Sequence, residues 1–334
     1  MEIELSFIWA GIIAFAVLTY VILDGFDLGV GILFPSAKTE RDKATMMNSI
    51  APIWDGNETW LVLGGGGLFA VFPLAYAVIM PALYMPITVM LLALVFRGVA
   101  FEYRWRTERW KPVWDVGFFG GSVVAAFTQG IALGALVQGI EVADRAYAGG
   151  WWDWLSLFSV LTGVAVVIGY ALLGATWLVM KTDGDLRLRM QRFARPLAIG
   201  TLGFVGLVSL LTPLQDPVYF HRWFDFPGIL LSLAMPGAVL FLAWRLFSGL
   251  NAGRDVVPFL SALGLFVLCF IGIGISFYPH IVPPDLTIAQ AAAPDSSLAF
   301  ALVGTVVLVP LILGYTAYAY WVFRGKVDPD EGYH

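Results

Sequence analysis

The sequence has few charged residues, few histidines and one cysteine. Asp, Glu, Lys and Arg make up 13% of its 334 residues and hydrophobic residues 59%, and the mean hydropathy is +0.82. Soluble domains average roughly 25% charged residues and roughly 45–50% apolar residues. The composition therefore excludes an ordinary soluble domain and predicts a polytopic membrane protein. The net charge of −5 gives no indication of a nucleic-acid partner, and we expect none.

The scarcity of cysteine and histidine limits the metal and redox chemistry that this chain can carry. Cys269 lies in an apolar run and has no second cysteine to pair with, which excludes an intrachain disulfide and a cysteine-ligated zinc or iron–sulfur site. The histidines, His221, His280 and the terminal His334, all fall outside the predicted membrane spans. A b-type haem in a helix bundle needs axial side chains such as histidine. We therefore expect no haem ligand and no metal site in this chain.

Apolar stretches of about 20 residues predict an all-α membrane protein with nine transmembrane helices. The predicted spans are 6–34, 53–73, 75–101, 113–139, 154–180, 196–214, 226–248, 257–278 and 297–323. Only residues 72–74 separate the second span from the third. The segment before the first span has acids and no basic residue, so we expect that the first helix is not a cleaved signal peptide.

The distribution of Lys and Arg over the loops predicts the orientation. With the N-terminus outside, the basic residues fall almost entirely in inner loops, and the outer loops hold only Arg145 and Arg222. This asymmetry follows the positive-inside rule and predicts a cytoplasmic C-terminus. Merging the second and third spans would invert every later loop and remove the asymmetry.

Two polar loops resemble each other at an offset of 143 residues and suggest an internal repeat. Residues 38–42 read KTERD and residues 181–185 read KTDGD, and each segment precedes a span predicted to begin with proline, at Pro52 and Pro196. Chance similarity of two polar loops is the alternative. The repeat favours two four-helix bundles and a peripheral ninth helix. The predicted organisation is one polytopic domain over 1–334, with bundles in 1–140 and 151–278 and the peripheral helix at 297–323.

Asp24 and Asp27 lie three residues apart inside the first apolar run, so helical geometry places them on one face. Ionised carboxylates at this depth need a counter-ion, water or a bound proton. Arg97, at a similar depth in the third predicted span, is the natural counter-ion. Two interpretations remain open at this point: an ion pair that locks the two helices together, and a proton-handling site.

A second pair of acids, Asp55 and Glu58, lies in the first turns of the second predicted span. Acids at a helix N-terminus interact favourably with the helix dipole, and for Asp55 alone this would be the preferred explanation. Together with Asn57 and the aromatic residues Trp54 and Trp60, the two acids form a polar entrance edged by aromatic rings. That combination is more typical of a place where protons or ions enter a membrane protein.

Several segments carry a resemblance to a known family. They are 24–31 (DGFDLGVG), 48–61 (NSIAPIWDGNETWL), 96–104 (FRGVAFEYR), 276–279 (SFYP) and 282–284 (VPP). The sequence closely resembles subunit II of the cytochrome bd-type quinol oxidases, bacterial terminal oxidases that include the cyanide-insensitive branch. The first two segments are highly specific, and the resemblance extends over the whole chain.

The resemblance implies a nine-helix fold of two four-helix bundles and one peripheral helix in the bacterial cytoplasmic membrane. It implies a heterodimer with subunit I, which would carry haem b, with or without haem d, and the quinol site. The complex would oxidise quinol and reduce dioxygen to water with protons from the cytoplasm. A structural quinone in this chain and a small single-helix accessory subunit are compatible with the resemblance.

The resemblance also implies roles for individual acids. Asp55 would begin a hydrophilic proton route, Asp24 would be a further relay or an ion-pair partner, and Glu58 and Glu102 would extend the route. Asp27 and Arg97 remain candidates for a structural ion pair. Two other hypotheses are a stand-alone proton-coupled transporter, which intramembrane acids and repeated halves also suit, and a purely structural subunit.

Overall fold

The computed structural model describes residues 4–328 and is almost entirely helical. Residues 1–3 and 329–334, which include His334, lie outside the described range. The helices are α1 Leu5–Leu33, α2 Glu40–Asn48, α3 Trp54–Val71, α4 Pro73–Ala82, α5 Tyr84–Arg104, α6 Lys111–Gln138, α7 Leu157–Lys181, α8 Gly184–Leu211, α9 Pro217–Phe224, α10 Gly228–Asn251, α11 Val256–Phe277, α12 Ile288–Ala291 and α13 Asp295–Val322. Two antiparallel hairpins lie between helices: β1 Val142–Ala143 with β2 Ala146–Tyr147, and β3 His280–Val282 with β4 Leu286–Thr287.

Within residues 4–328, eight helices are long and apolar enough to cross a membrane: α1, α5, α6, α7, α8, α10, α11 and α13. They correspond to every predicted span except the second, which the structure forms as α3. That helix has 18 residues, but Asp55, Asn57 and Glu58 in its first two turns lower its mean hydropathy. An all-α membrane architecture is therefore clear from the helices, whereas α3 does not qualify as a span by composition alone.

Two predicted helix boundaries were wrong. The predicted span 75–101 is divided at Leu83 into α4 and α5, because Pro86 has no N–H to donate to the carbonyl of Ala82. The predicted start of a helix at Pro196 is also incorrect: α8 begins at Gly184 and contains Pro196. Hydropathy marks only the membrane-embedded part of α8, while its charged first turns continue the same helix outside the apolar layer.

Close helix crossings at glycines hold the centre of the molecule together. A Cβ atom at Gly29 on α1 would collide with the carbonyl oxygen of Tyr170 on α7 and would lie 2.6 Å from the backbone nitrogen of Gly174. At the contact of α6 with α7, a Cβ at Gly130 would lie 2.6 Å from the Cα of Gly163. Small residues at such crossings let helix backbones approach closely in membrane proteins. The α7 helix thereby packs directly against both α1 and α6.

Ion pairs join the polar loops at one end of the bundle. Arg104, which ends α5, contacts Asp115 at the start of α6 at 2.5 Å and Glu40 in α2 at 2.7 Å. Arg189 in α8 contacts Asp42 in α2 at 2.9 Å. Burial raises the pKa of Asp42, but hydrogen bonds from Arg189 and from nearby backbone N–H groups outweigh this and lower it overall. The loops that were predicted to face the cytoplasm therefore meet at one end.

The segment after α13 joins the same end. The Lys326 ammonium contacts Asp255, between α10 and α11, at 3.1 Å, and Asp183, between α7 and α8, at 3.3 Å. The Lys181 side chain donates to the carbonyl of Gly325 at 2.6 Å. These contacts anchor the C-terminal end of α13 at the ion-paired end of the bundle. Along the rest of its length α13 is largely exposed, and it lies against α1 and α3.

The opposite end is closed by backbone hydrogen bonds between loops. Ala293 N–H donates to the carbonyl of Val71, the last residue of α3, at 2.9 Å, and Ile140 N–H donates to the carbonyl of Pro283 at 3.0 Å. The Trp9 indole N–H donates to the carbonyl of Leu298 at 3.0 Å. Since α3 starts just after α2 at the ion-paired end, it extends from one end of the bundle to the other.

Candidate functional site

The first two acids of the candidate site lie on the buried face of α1. Asp24 and Asp27 are fully buried, together with the neighbouring residues Gly25, Phe26 and Leu28. Helix α1 is surrounded here by α3, α6 and α7, so both carboxyl groups face protein rather than lipid. Burial of two carboxyl groups inside an apolar bundle requires charged or polar partners nearby.

Arg97 on α5 lies between carboxyl groups from two other helices. Its Nη1 atom is 3.4 Å from Oδ1 of Asp24 and 3.5 Å from Oε2 of Glu58, and the arginine side chain is 1% exposed. The guanidinium also lies 5.9 Å from the ring centroid of Trp54, which in turn packs against Phe101 at 5.2 Å. One arginine therefore joins α1, α3 and α5, and the indole of Trp54 covers it.

Asp27 belongs to a separate chain of hydrogen bonds. Asn57 donates from Nδ2 to Oδ2 of Asp27 at 2.7 Å. The amide oxygen of Asn57 accepts a hydrogen bond from the hydroxyl of Tyr320 at 2.9 Å. Asn57 is buried in the first two turns of α3, and Tyr320 lies near the end of α13. The peripheral helix thus contributes a side chain to the site.

Many polar atoms of the site make no hydrogen bond with another described side chain or backbone group. They are both carboxylate oxygens of Asp24, Oδ1 of Asp27, Oε2 of Glu58 and the three guanidinium nitrogens of Arg97. The contacts of 3.4 and 3.5 Å are charge pairs without hydrogen-bond geometry.

The remaining acids extend from this cluster toward the ion-paired end of the bundle. Asp55 is exposed in the first turn of α3 and lies one turn before Glu58, whose side chain is 27% exposed. Their charges are close enough to interact. Glu102 is half-buried on α5, between Arg97 and the cluster around Arg104. Exposed, half-buried and fully buried acids therefore follow one another along α3 and α1.

Trp60 forms part of the wall of the site. It is buried, makes an edge-to-face contact with Phe15 at 5.9 Å and packs with Ala16 and Tyr20 on α1. Its position is that of a packing residue between α3 and α1.

The sequence analysis missed a polar line through the middle of the bundle. The hydroxyl of Tyr170 on α7 donates to Gln129 on α6 at 2.8 Å, and the Gln129 amide nitrogen donates to the hydroxyl of Tyr20 at 2.7 Å. Tyr20 lies one turn before Asp24 on α1, and the two side chains interact. The available signal was a glutamine in the centre of the apolar α6 and a tyrosine four residues before a buried acid.

The histidines of the described range do not fit a haem within the bundle. His221 lies in the short helix α9, where its Nδ1 is 3.0 Å from the carboxylate of Asp225, and His280 lies in β3. Neither belongs to a helix long enough to cross a membrane. Among residues 4–328, no group of three or more His, Cys, Asp or Glu side chains is arranged to hold a metal ion.

Comparisons with known proteins agree with this architecture. The family described as "Cytochrome bd terminal oxidase subunit II" matches residues 5–323. The chain is 33% identical over 367 residues to "Cytochrome bd-I ubiquinol oxidase subunit 2" of Escherichia coli (strain K12), covering 98% of this chain and 96% of that protein. It is 30% identical over 335 residues to "Cytochrome bd ubiquinol oxidase subunit 2" of Bacillus subtilis (strain 168), covering 97% of both.

A solved structure shows the same fold. A chain of "The structure of bd oxidase from Geobacillus thermodenitrificans" superposes with a TM-score of 0.78 at 16% identity, covering 96% of this chain and 99% of that chain. The family match and the curated relatives also confirm the resemblance that the sequence motifs carry. The chain therefore belongs to the cytochrome bd terminal oxidase subunit II family and is one subunit of a quinol oxidase, an oxidoreductase complex.

Proposed function

We propose that this chain is the haem-free subunit of the oxidase and that it conducts protons from the cytoplasm toward the partner subunit I, where dioxygen is reduced to water. The observation that carries this proposal is the sequence of acids with decreasing exposure: Asp55 exposed, Glu58 half-buried and Asp24 fully buried. The chain would also stabilise subunit I by packing against it in the membrane. Membership of an oxidase family argues against the stand-alone transporter.

In this proposal a proton enters at the carboxylate of Asp55 and passes one helical turn along α3 to Glu58. It then moves to Asp24 on α1. Arg97 lies between Glu58 and Asp24 at 3.5 and 3.4 Å. Arginine does not release its proton in proteins, so Arg97 is a fixed positive charge that keeps the two carboxyl groups close while the proton moves between them.

The charge balance of the cluster favours proton transfer over a static lock. One guanidinium faces the carboxyl groups of Asp24 and Glu58, and Asp27 is buried one turn from Asp24, so ionisation of all three leaves excess negative charge in a buried site. When one of these carboxylates binds a proton, the excess negative charge is removed and the side chains can keep their positions. From Asp24, the hydrogen-bonded line of Tyr20, Gln129 and Tyr170 leads further into the bundle; its hydroxyl groups can both donate and accept.

The orientation required by this route has the N-terminus outside, nine crossings and a cytoplasmic C-terminus. It is supported by the ion-paired end, which gathers the basic loops, and by α3, whose 18 residues span about 27 Å from that end to the other. Labelling with a membrane-impermeant maleimide in a Cys269→Ser background tests it. Arg145→Cys should react in intact cells and Glu108→Cys should not, whereas reaction of Glu108→Cys from outside would mean that α3 does not cross.

The proton route is tested with Asp55→Asn in the purified complex, by measuring quinol-dependent oxygen consumption and the visible haem spectrum. A lower turnover with unchanged haem content is expected, because the first proton acceptor is lost. Asp24→Asn should reduce turnover by about 100-fold, near the low end of what a positioned proton donor or acceptor contributes. Full activity in both variants would overturn the route.

The matched control is Asp185→Asn. Asp185 and Asp55 each lie at the second position of a helix that begins at the ion-paired end, α8 and α3. If Asp55 only compensates the helix dipole, the two substitutions should have equally small effects on turnover and on thermal stability. A loss of turnover confined to Asp55→Asn supports the proton role.

The redox groups are proposed to reside in the partner: haem b, with or without haem d, together with the quinol site. We propose that the complete complex lies in the bacterial cytoplasmic membrane. The proposal also includes a structural quinone bound by this chain and a small single-helix accessory subunit. Reduced-minus-oxidised spectra test the placement of the haems. Bands in the complex and none from this chain expressed alone are expected, and bands from the lone chain would contradict the proposal.

A further inference from the structure

We propose that the inner end of α8 binds the headgroup phosphate of an anionic phospholipid. The site consists of Arg192 and Arg195 with the neighbouring Leu188 and Gln191, which line an open cleft of about 300 Å³. These residues follow the spacing i, i+3, i+4 and i+7, so they share one face of a single helix. This face is separate from the acids of the proton route.

The length of α8 places the two arginines at the level of lipid headgroups. The helix has 28 residues and is about 42 Å long, whereas about 20 residues cross the hydrocarbon layer. Counting about 20 residues back from Leu211, at the opposite end, reaches Arg192. Arg192 therefore lies at the boundary between hydrocarbon and water, where phosphate groups lie, and Arg195 lies about one turn deeper, from which its long side chain can extend its guanidinium to the same level.

The basic residues of this helix divide into two sets. Arg187 is paired with Asp255 at 2.7 Å, and Arg189 is paired with Asp42 at 2.9 Å. Arg192 and Arg195 are exposed and have no ion pair or hydrogen bond with another residue in the described part of the chain. The only acid in the same helix segment, Asp185, lies about two turns before Arg192. The positive charge of this face is thus uncompensated.

The site is held in place by the bundle. The side chain of Gln191 donates a hydrogen bond to the carbonyl of Leu250, at the end of α10, at 2.5 Å. Met190, on the opposite side of the helix from the cleft, is fully buried. The arginines therefore project from a fixed part of α8. A flexible polar tail would not present them in a constant arrangement.

The chemistry of the cleft selects a phosphate with an attached acyl chain. Guanidinium groups bind phosphate oxygens through paired hydrogen bonds. One turn deeper than Arg195 on the same face, Ile199 is 65% exposed and provides apolar surface for an acyl chain. A zwitterionic lipid would bring its own positive group near the arginines, so a lipid with net negative charge should bind better.

The test uses the purified, delipidated oxidase complex titrated with phosphatidylglycerol or with phosphatidylcholine, and native mass spectrometry to measure bound lipid. Each basic residue near a charged membrane surface contributes roughly a factor of five in affinity, so the double variant R192Q/R195Q should bind phosphatidylglycerol about 25-fold more weakly. The control variant R106Q/R109Q removes the same charge from an exposed loop at the same end of the bundle. It should bind like the wild type.

The outcomes are distinct. Selective loss in R192Q/R195Q supports the site, and R192K/R195K, which keeps the charge but loses the planar donor geometry, should then show a smaller loss. Equal weakening in the control variant would show a non-specific charge effect and overturn the proposal. Equal affinity for the two lipids, or full displacement of phosphatidylglycerol by millimolar inorganic phosphate, would also overturn it, the latter in favour of a free-anion site.

Discussion

Replacing Arg97 by methionine should destabilise the complex strongly. Methionine has a similar length and can fill much of the space, but it removes the one positive charge that faces Asp24 and Glu58. Asp24 and Arg97 side chains are each 1% exposed. The carboxylate of Asp24 would then remain in a buried site without a counter-ion, and the packing of Trp54 over the guanidinium would also be lost.

The size of the effect follows from the geometry. Two unit charges 3.4 Å apart attract each other by about 5 kcal/mol at an effective dielectric constant of about 20. Part of this attraction is offset by the removal of both groups from water. Deleting one partner of such a pair nevertheless destabilises by about 3–5 kcal/mol, because the other charge stays buried. Glu58, which is 27% exposed, should contribute less because water screens it.

A double-variant cycle separates this effect from a loss of packing. The free energy of unfolding of the complex is measured by titration with sodium dodecyl sulfate in mixed micelles for R97M, D24N and the combined variant. The combined variant should be more stable than the sum of the single losses predicts, by about 1–3 kcal/mol, since it no longer contains an unpaired charge. Strict additivity, or an R97M variant within about 1 kcal/mol of the wild type, would refute the reasoning.

Two further predictions concern the helix crossing and the ion-paired end. Gly29→Ala should destabilise the complex by about 3 kcal/mol, because its Cβ meets the backbone of Tyr170. Gly11→Ala, where nothing lies within 4 Å, should leave the Tm unchanged, and equal Tm values for both variants would contradict the crossing. For Asp255, burial raises the pKa, but hydrogen bonds from Arg187 and a neighbouring lysine outweigh it and lower the pKa overall. Its stabilisation should therefore be full above the unfolded-state pKa of about 3.9 and be lost as the pH falls through the lower folded value. Because its side chain is 37% exposed, Asp255→Asn should lower stability at pH 7 by less than about 1 kcal/mol. The difference from wild type should shrink as the pH falls below about 3.9, and a pH-independent difference would disagree with this assignment.

Most membrane segments could be predicted from the sequence because hydropathy depends on composition, which is local. Helix ends depended on interactions that composition does not contain. The start of α8 at Gly184 depends on loop contacts such as the pairing of Arg189 with Asp42. The break at Leu83 depends on the missing N–H of Pro86, a residue already inside the next helix. A mean hydropathy calculated over a window of residues does not detect helix boundaries that depend on a distant contact or on one missing hydrogen bond.

The candidate site was partly predictable for a similar reason. Intramembrane acids are rare enough to be noticed singly, so Asp24 and Glu58 could be identified without the structure. Tyr20, Gln129 and Tyr320 carry no charge and occur often in ordinary membrane helices. Their importance arises only because the fold brings each of them within hydrogen-bond distance of a partner from another helix.

Helix α3 connects these two observations. Its first two turns carry Asp55, Asn57 and Glu58, and for this reason its hydropathy is too low to mark it as a span. A helix with such turns could not lie alone in lipid. It is stable here because Arg97 from α5 faces Glu58, and because Asn57 is hydrogen-bonded to Asp27 and Tyr320. The polar groups that make α3 a poor membrane helix on its own are the groups that the proposed proton route requires, and the surrounding helices stabilise them.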